Sequence, residues 1–257
     1  MMIDSIRFSK TIPAGQASQL IDKIAGLSNI YFTNKMTHVS SLPGLEHTSN
    51  QQTLYNVGLI DDAISEKKQI SFVYNNYWED KKLHPRREEP YIVNPYQMVA
   101  NDGKYYLVCN YDKYDTLSNY RVDKMTQVKI VNKPVKSRDK VKGMEHGLNL
   151  PKHMAEHIYM FADEPVTIIL RVKKSAISDI VDWFGSNFDV VDESIARQYD
   201  GFRETTDAVT YVRLVCSRQA MSHWAMQYGT SVEVIYPTEL RTQIGEAVKE
   251  MNNRYND

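Results

Sequence analysis

The sequence has 257 residues, 42% hydrophobic and 25% charged, with 11 Gly and 9 Pro, a composition that excludes a disordered or collagen-like chain and leaves room for two domains. Its two cysteines, Cys109 and Cys216, belong to no C-x-x-C pair, which excludes a disulfide framework or a cysteine zinc cage and fits a reducing, cytoplasmic setting; the N-terminus has no leader-like apolar run, and no segment approaches the roughly 18 apolar residues of a membrane span. The net charge of −1 hides a division: residues 66–142 carry 16 basic against 10 acidic residues and residues 143–257 carry 11 against 17, so an anionic ligand is expected at the middle of the chain and not at its end.

From Pro13 to Leu27, Ala17, Leu20, Ile21, Ile24 and Leu27 recur at intervals of three and four, predicting an amphipathic helix with Pro13 in its first turn. Residues 33–53 are polar, with Pro43-Gly44 as a turn signal, and a second helix is predicted from Gln52 to Glu66 with Leu54, Val57, Ile60 and Ile64 inward. Residues 1–66 thus read as a helical connecting segment. From Gln69 the period changes to that of strands: Ile70, Phe72 and Tyr74 alternate with Ser71, Val73 and Asn75, Tyr96–Val99 and Lys104–Tyr111 flank the hairpin signal Asn101-Asp102-Gly103, and Asn119–Asp123 and Val128–Val131 continue the series. Short strands at this spacing predict a small β-barrel over residues 67–135, in which nine of the 17 tyrosines are clustered. A linker with a short helix at Pro151–Ile158 follows over residues 136–164. Residues 165–257 then read as strand Pro165–Lys173, helix Ala176–Phe184, strands Phe188–Asp192 and Ala208–Cys216, helix Arg218–Tyr228 closed by Gly229, strand Ser231–Ile235, and a last helix opened by Pro237 with Leu240, Ile244, Val248 and Met251 inward. The order βαββαβ predicts a ferredoxin-like fold, so the chain as a whole is α+β.

Enzyme motifs are scarce. His153-Met154-Ala155-Glu156-His157 matches the H-x-x-E-H zinc-protease pattern, but it needs a third ligand from a second helix, and the downstream candidates Glu193, Glu204 and Glu233 fall in predicted strand or loop. The glycine-rich phosphate loops and the serine-hydrolase elbow are absent, and Cys109 sits in an apolar strand where packing explains it. Neither catalysis nor a metal or other cofactor is expected. The barrel offers a different chemistry. Arg121 and Asp123 fall on one face of a predicted strand, His84, Arg86 and Arg87 add cationic groups in a loop, and Tyr74 and Tyr106 offer stacking planes. Arginine forks beside aromatic faces suit single-stranded nucleic acid or a nucleotide; equally, the tyrosines fill the barrel core and the arginines pair with Glu88, Glu89 and Asp123.

Four ordered blocks, Gln69–Tyr74, Tyr91–Met98, Gly103–Val108 and Tyr120–Met125, resemble the WYL domain family of bacterial transcriptional regulators, with Tyr105-Tyr106-Leu107 in place of the name-giving Trp-Tyr-Leu. The resemblance implies an Sm/SH3-like β-barrel that senses an effector, single-stranded DNA or RNA or a nucleotide, followed by a ferredoxin-like C-terminal extension. It implies that Arg121, Asp123 and Lys124 stand for the family's R-x-D-[RK] block, Tyr105 and Tyr106 for its central motif and Tyr74 for its first-strand aromatic. His84, Arg86 and Arg87 join this ligand set on charge alone. It further implies a homodimer that meets duplex DNA only through a winged helix-turn-helix, for which nothing before Phe8 leaves space. The alternative from the residues themselves is a protein interaction or oligomerisation module, its acidic end pairing with the basic middle of another chain.

Overall fold

The computed structural model describes residues 2–27, 48–204, 206 and 208–256, and these form two compact units, Met1–Gly147 and Leu148–Asp257. Both mix α and β. The Pro43-Gly44 turn lies outside the described residues. Among the described residues no helix is long and apolar enough to cross a membrane.

Unit 1 begins with helices α1 (Met2–Phe8), α2 (Ala14–Gly26) and α3 (Thr53–Ser65) and continues with strands β1 (Lys68–Tyr77), β2 (Leu83–Pro85), β3 (Tyr91–Asn101), β4 (Lys104–Asn110), β5 (Leu117–Arg121) and β6 (Met125–Pro134). The strands form one curled antiparallel sheet in the order β2-β1-β3-β4-β5, with β6 also paired to β1. Its core joins Ile60 and Ala63 of α3 to Ile70 and Phe72 of β1, Val93 of β3, Leu107 and Cys109 of β4, Val122 and Met125. Cys109 is free, and burial pushes its thiol well up. The β3–β4 hairpin turns through two residues, Asp102 at φ 47° and Gly103 at φ 69°, which is what a two-residue turn with positive φ at both centres demands and an Asp-Gly pair supplies.

Four expectations shift here. Helix α3 turns Thr53, Asn56, Ile60 and Ala63 inward and leaves Leu54 exposed. The cause is polar: the Asn56 and Asn50 amides donate to the Met125 carbonyl at 2.9 and 2.7 Å, and Asn50 also to that of Asp123 at 3.1 Å, so the helix is rotated to satisfy buried backbone acceptors. Pro13 is the N-cap of α2 and not within its first turn, and Leu27, placed inward by the periodicity, is the exposed C-cap residue. Strand β5 ends at Arg121, and Val122–Lys124 form a 3-10 turn that buries Val122 and Asp123, so Arg121 and Asp123 do not share a strand face.

Unit 2 contains α4 (Leu150–Glu156), β7 (Pro165–Lys173), α5 (Ile177–Phe184), β8 (Phe188–Val191), α6 (Glu193–Ala196), β9 (Val209–Ser217), α7 (Arg218–Gln227), β10 (Val232–Tyr236) and α8 (Thr238–Asn256). All pairings in its sheet are antiparallel, in the order β10-β7-β9-β8. Alternation along β7 and β9 sends Ile168, Leu170, Val172, Val212, Leu214 and Cys216 to one face, where Ile180, Phe184, Met221 and Trp224 of α5 and α7 cover them. The other face carries a smaller cluster of Ile169, Val191, Ala196, Tyr211 and Ile235. Helix α6 is not foreseen by periodicity because it is four residues long; Asp192 caps it by accepting from the Ser194 N–H at 2.8 Å. Of α8 only Leu240 is buried; Val248 and Met251, expected inward, are exposed because the helix continues beyond the core its first turns cover.

Candidate ligand cleft of unit 1

The end of β1, the β1–β2 loop, the start of β4 and the end of β5 surround a cleft of about 330 Å³ walled by Lys10, Thr48, Ser49, Tyr77, Trp78, Lys81, Lys104, Arg121 and Asp123. The chain before α2 is fastened to the hairpin tip: the Lys10 N–H and the Thr11 hydroxyl donate to the Gly103 carbonyl at 3.0 and 2.8 Å, and the Lys10 ammonium lies 3.3 Å from the Asp102 carboxylate. Lys104 reaches the same carboxylate at 2.9 Å and, with Lys10, holds it below the usual carboxylate range.

Arg121 is held from two sides. Its Nε and one amino group donate to the two oxygens of Asp123 at 3.1 and 2.7 Å, a bidentate pair in which Asp123 is 1% exposed and Arg121 27%. Its backbone N–H donates to the Tyr74 hydroxyl at 3.3 Å. The Arg121 fork is thus largely occupied by a buried carboxylate, and the unshared positive charge of the cleft comes from its lysines. Counting the four cations of the walls against Asp123 and the adjoining Asp102 leaves an excess of two.

The aromatic wall is Tyr77 and Trp78. Trp78 is 62% exposed and its ring stacks on His84 at 4.1 Å, while His84 Nε2 lies 2.8 Å from an Asp80 oxygen. The indole is therefore propped in place by the His84 ring and remains largely exposed.

The sequence-expected residues divide accordingly. Arg121 and Asp123 line the cleft. Tyr106 faces Arg121 across β4 and β5, and burial raises its hydroxyl pKa. Tyr74 packs edge-on to Tyr120 at 4.8 Å among Phe72 and Tyr91, and burial pushes its hydroxyl to about 12, so its ring belongs to the core. Lys124, whose ammonium is disfavoured by burial and then by Arg121, lies outside the cleft walls, as do His84, Arg86 and Arg87. Arg87 sits 3.6 Å above the Tyr91 ring and donates to the Glu89 and Pro90 carbonyls; Arg86 is exposed. Tyr105 packs against the core and lines a second cavity of about 610 Å³ with Lys10, Ala100 and Gly103.

Sequence reasoning missed Lys10, Lys81, Lys104, Tyr77 and Trp78. The run Trp78-Glu79-Asp80-Lys81-Lys82, an aromatic beside two lysines in a strand-to-strand loop, was a readable signal; Lys10 was not, since it reaches the cleft through contacts 92 residues apart in sequence. In unit 2, the His153 and His157 rings of the zinc-like motif lie 4.5 Å apart, but among the described residues no three His, Cys, Asp or Glu side chains stand together as metal ligands.

Residues 56–130 match the WYL domain and residues 164–251 the WCX domain. No curated protein is significantly similar to the chain. Among solved structures, proteasome accessory factor B/C (PafBC) of Arthrobacter aurescens is 16% identical with a TM-score of 0.33, over 80% of this chain and 28% of that one. A CRISPR Cas-related protein is 14% identical with a TM-score of 0.47, over 80% of this chain and 54% of the other. The chain therefore spans between about a quarter and about half of these structures.

Proposed function

The chain is a WYL-domain protein with a WCX domain after the WYL domain, and from that premise we propose that unit 1 is the sensing module of a transcriptional regulator and takes single-stranded nucleic acid in the Trp78–Lys81 cleft. WYL and WCX domains are regulatory, and the reading assigns no catalytic step. The curled sheet of unit 1 is read as the Sm/SH3-like barrel, and the 4-1-3-2 strand order of unit 2 supports the ferredoxin-like reading.

The observation that carries the proposal is the cleft itself: three lysines and an arginine beside two exposed aromatic rings. Lysines supply sequence-independent attraction to phosphates, and the indole face supplies stacking that tolerates any base. A duplex, whose bases are already stacked, cannot use the indole. Binding would act by favouring one arrangement of a homodimer over another, biasing a helix-turn-helix elsewhere in the regulator. Titration of a short oligothymidine into the protein, with tryptophan emission as readout, tests this. Quenching that disappears in Trp78→Leu supports the cleft; quenching unchanged in that variant places the ligand elsewhere.

A second reading, subunit association through unit 2, is favoured by Val248, Met251 and Tyr255, which lie at helical spacing on α8 and are all exposed. A sedimentation profile unchanged by Met251→Lys would remove it.

A further inference from the structure

On the face of the second sheet away from α5 and α7, three arginines converge on one glutamate. Arg171 of β7 and Glu233 of β10 are direct cross-strand partners, Arg203 precedes β9, and Arg241 lies in the first turns of α8. The Glu233 carboxylate is 2.8 Å from Arg241 but 3.7 Å from Arg203 and 3.8 Å from Arg171. Only the first of these is a close ion pair.

The three guanidinium groups are held by different means. Arg241 also donates to the Val234 carbonyl at 2.7 Å and lies so close to Gly201 that a Cβ there would come within 3.1 Å of its Nε. Arg203 has its main chain pinned by the buried Tyr211, whose hydroxyl donates to its carbonyl and accepts from its N–H, while its side chain is 65% exposed. Arg171 Nε is buried and has no hydrogen-bond partner among the described residues. Leaving such a donor unmade is costly, and Glu233, already committed to Arg241, does not satisfy it. Among the described residues the cluster carries three positive charges against one negative.

We propose that this cluster is a binding site for a dianionic phosphate group, either free or carried as a monoester. An excess of two positive charges matches a phosphate monoester, whose charge at pH 7 is on the order of −2, better than the single charge of a phosphodiester. Arg171 and Arg203 supply the ligand's donors in the fork geometry that phosphate oxygens accept, and Glu233 orients Arg241 behind them. The site lies wholly within unit 2.

The test is isothermal titration calorimetry of the full chain with inorganic phosphate and with ribose 5-phosphate, ribose serving as control. Saturable binding of either phosphate is expected, with Arg203→Gln weakening it about tenfold, as loss of one charge-assisted contact should. Glu233→Gln keeps the shape but removes the competing charge, so it should tighten binding several-fold, an effect that a purely structural ion pair would not produce. Lys249→Gln, at an exposed position of α8, should leave it unchanged. Tighter binding of the ester than of free phosphate identifies the carried form, and equal affinity identifies phosphate itself. No saturable binding of either, an unchanged Arg203→Gln, or a weakened Glu233→Gln would overturn the proposal.

Discussion

Replacing Arg121 by Gln removes the partner of a carboxylate that is 1% exposed and receives two donors from that arginine, at 3.1 and 2.7 Å. Breaking a buried pair from one side costs about 3–5 kcal/mol; with Arg121 itself 27% exposed, the lower end applies, so Arg121→Gln should destabilise unit 1 by about 3 kcal/mol. Adding Asp123→Asn removes the stranded charge and leaves two amides able to hydrogen-bond, so the double variant should recover at least about half of that loss, a coupling of roughly 1.5 kcal/mol or more. Urea unfolding followed by the near-ultraviolet circular dichroism of the tyrosine cluster in β1–β5 reads the transition of this unit. The reasoning is refuted if Arg121→Gln costs less than about 0.5 kcal/mol, or if the two substitutions simply add.

Other outcomes follow from the same geometry. Asp112 is held from its ordinary 3.8 to about 2 by Lys133, then by Asn94 and Gln69; because the folded state resists protonation, its contribution is complete above pH 4 and is lost as pH falls toward 2, and Asp112→Asn should flatten that part of the acid limb of a stability–pH curve. His153 is pushed from 6.5 to about 4 by burial and then by His157, so the unfolded chain binds its proton first; the stability of unit 2 should decline as pH falls from about 6.5 to 4, and His153→Leu, followed by thermal melting, should weaken that dependence. Gly103, at φ 69°, should lose about 1–2 kcal/mol on replacement by Ala, because a Cβ is strained there; a melting temperature unchanged by Gly103→Ala would contradict the turn assignment.

What the sequence disclosed was local. The Asp102-Gly103 turn was legible because its residue types answer one backbone requirement, and β7 was legible from end to end because its β-branched and apolar run, Val166, Ile168, Ile169, Leu170 and Val172, is bounded by Pro165 and Lys173. Helix faces were less so: α3 is set by Asn50 and Asn56 meeting carbonyls some 70 residues later, and no apolar period reports that. Of the nine residues that wall the cleft, two were legible. Arg121 and Asp123 could be named, but tyrosine content does not separate rings that fill a core, such as Tyr74 and Tyr120, from an exposed ring that lines the cleft, such as Tyr77. Lys10 entered through a tertiary contact, the Thr11–Gly103 hydrogen bond.

The most direct test of the central claim is fluorescence-polarisation binding of single-stranded and duplex DNA of one sequence across a salt series. An excess of two charges predicts that log K for the single strand falls with log salt at a slope of about −1.4, approaching −2.8 if all four cations engage phosphates, with Lys81→Gln reducing the slope by about 0.7 and the duplex binding more weakly throughout. Duplex bound as tightly as single strand, or a slope that Lys81→Gln leaves untouched, would contradict the assignment of the cleft.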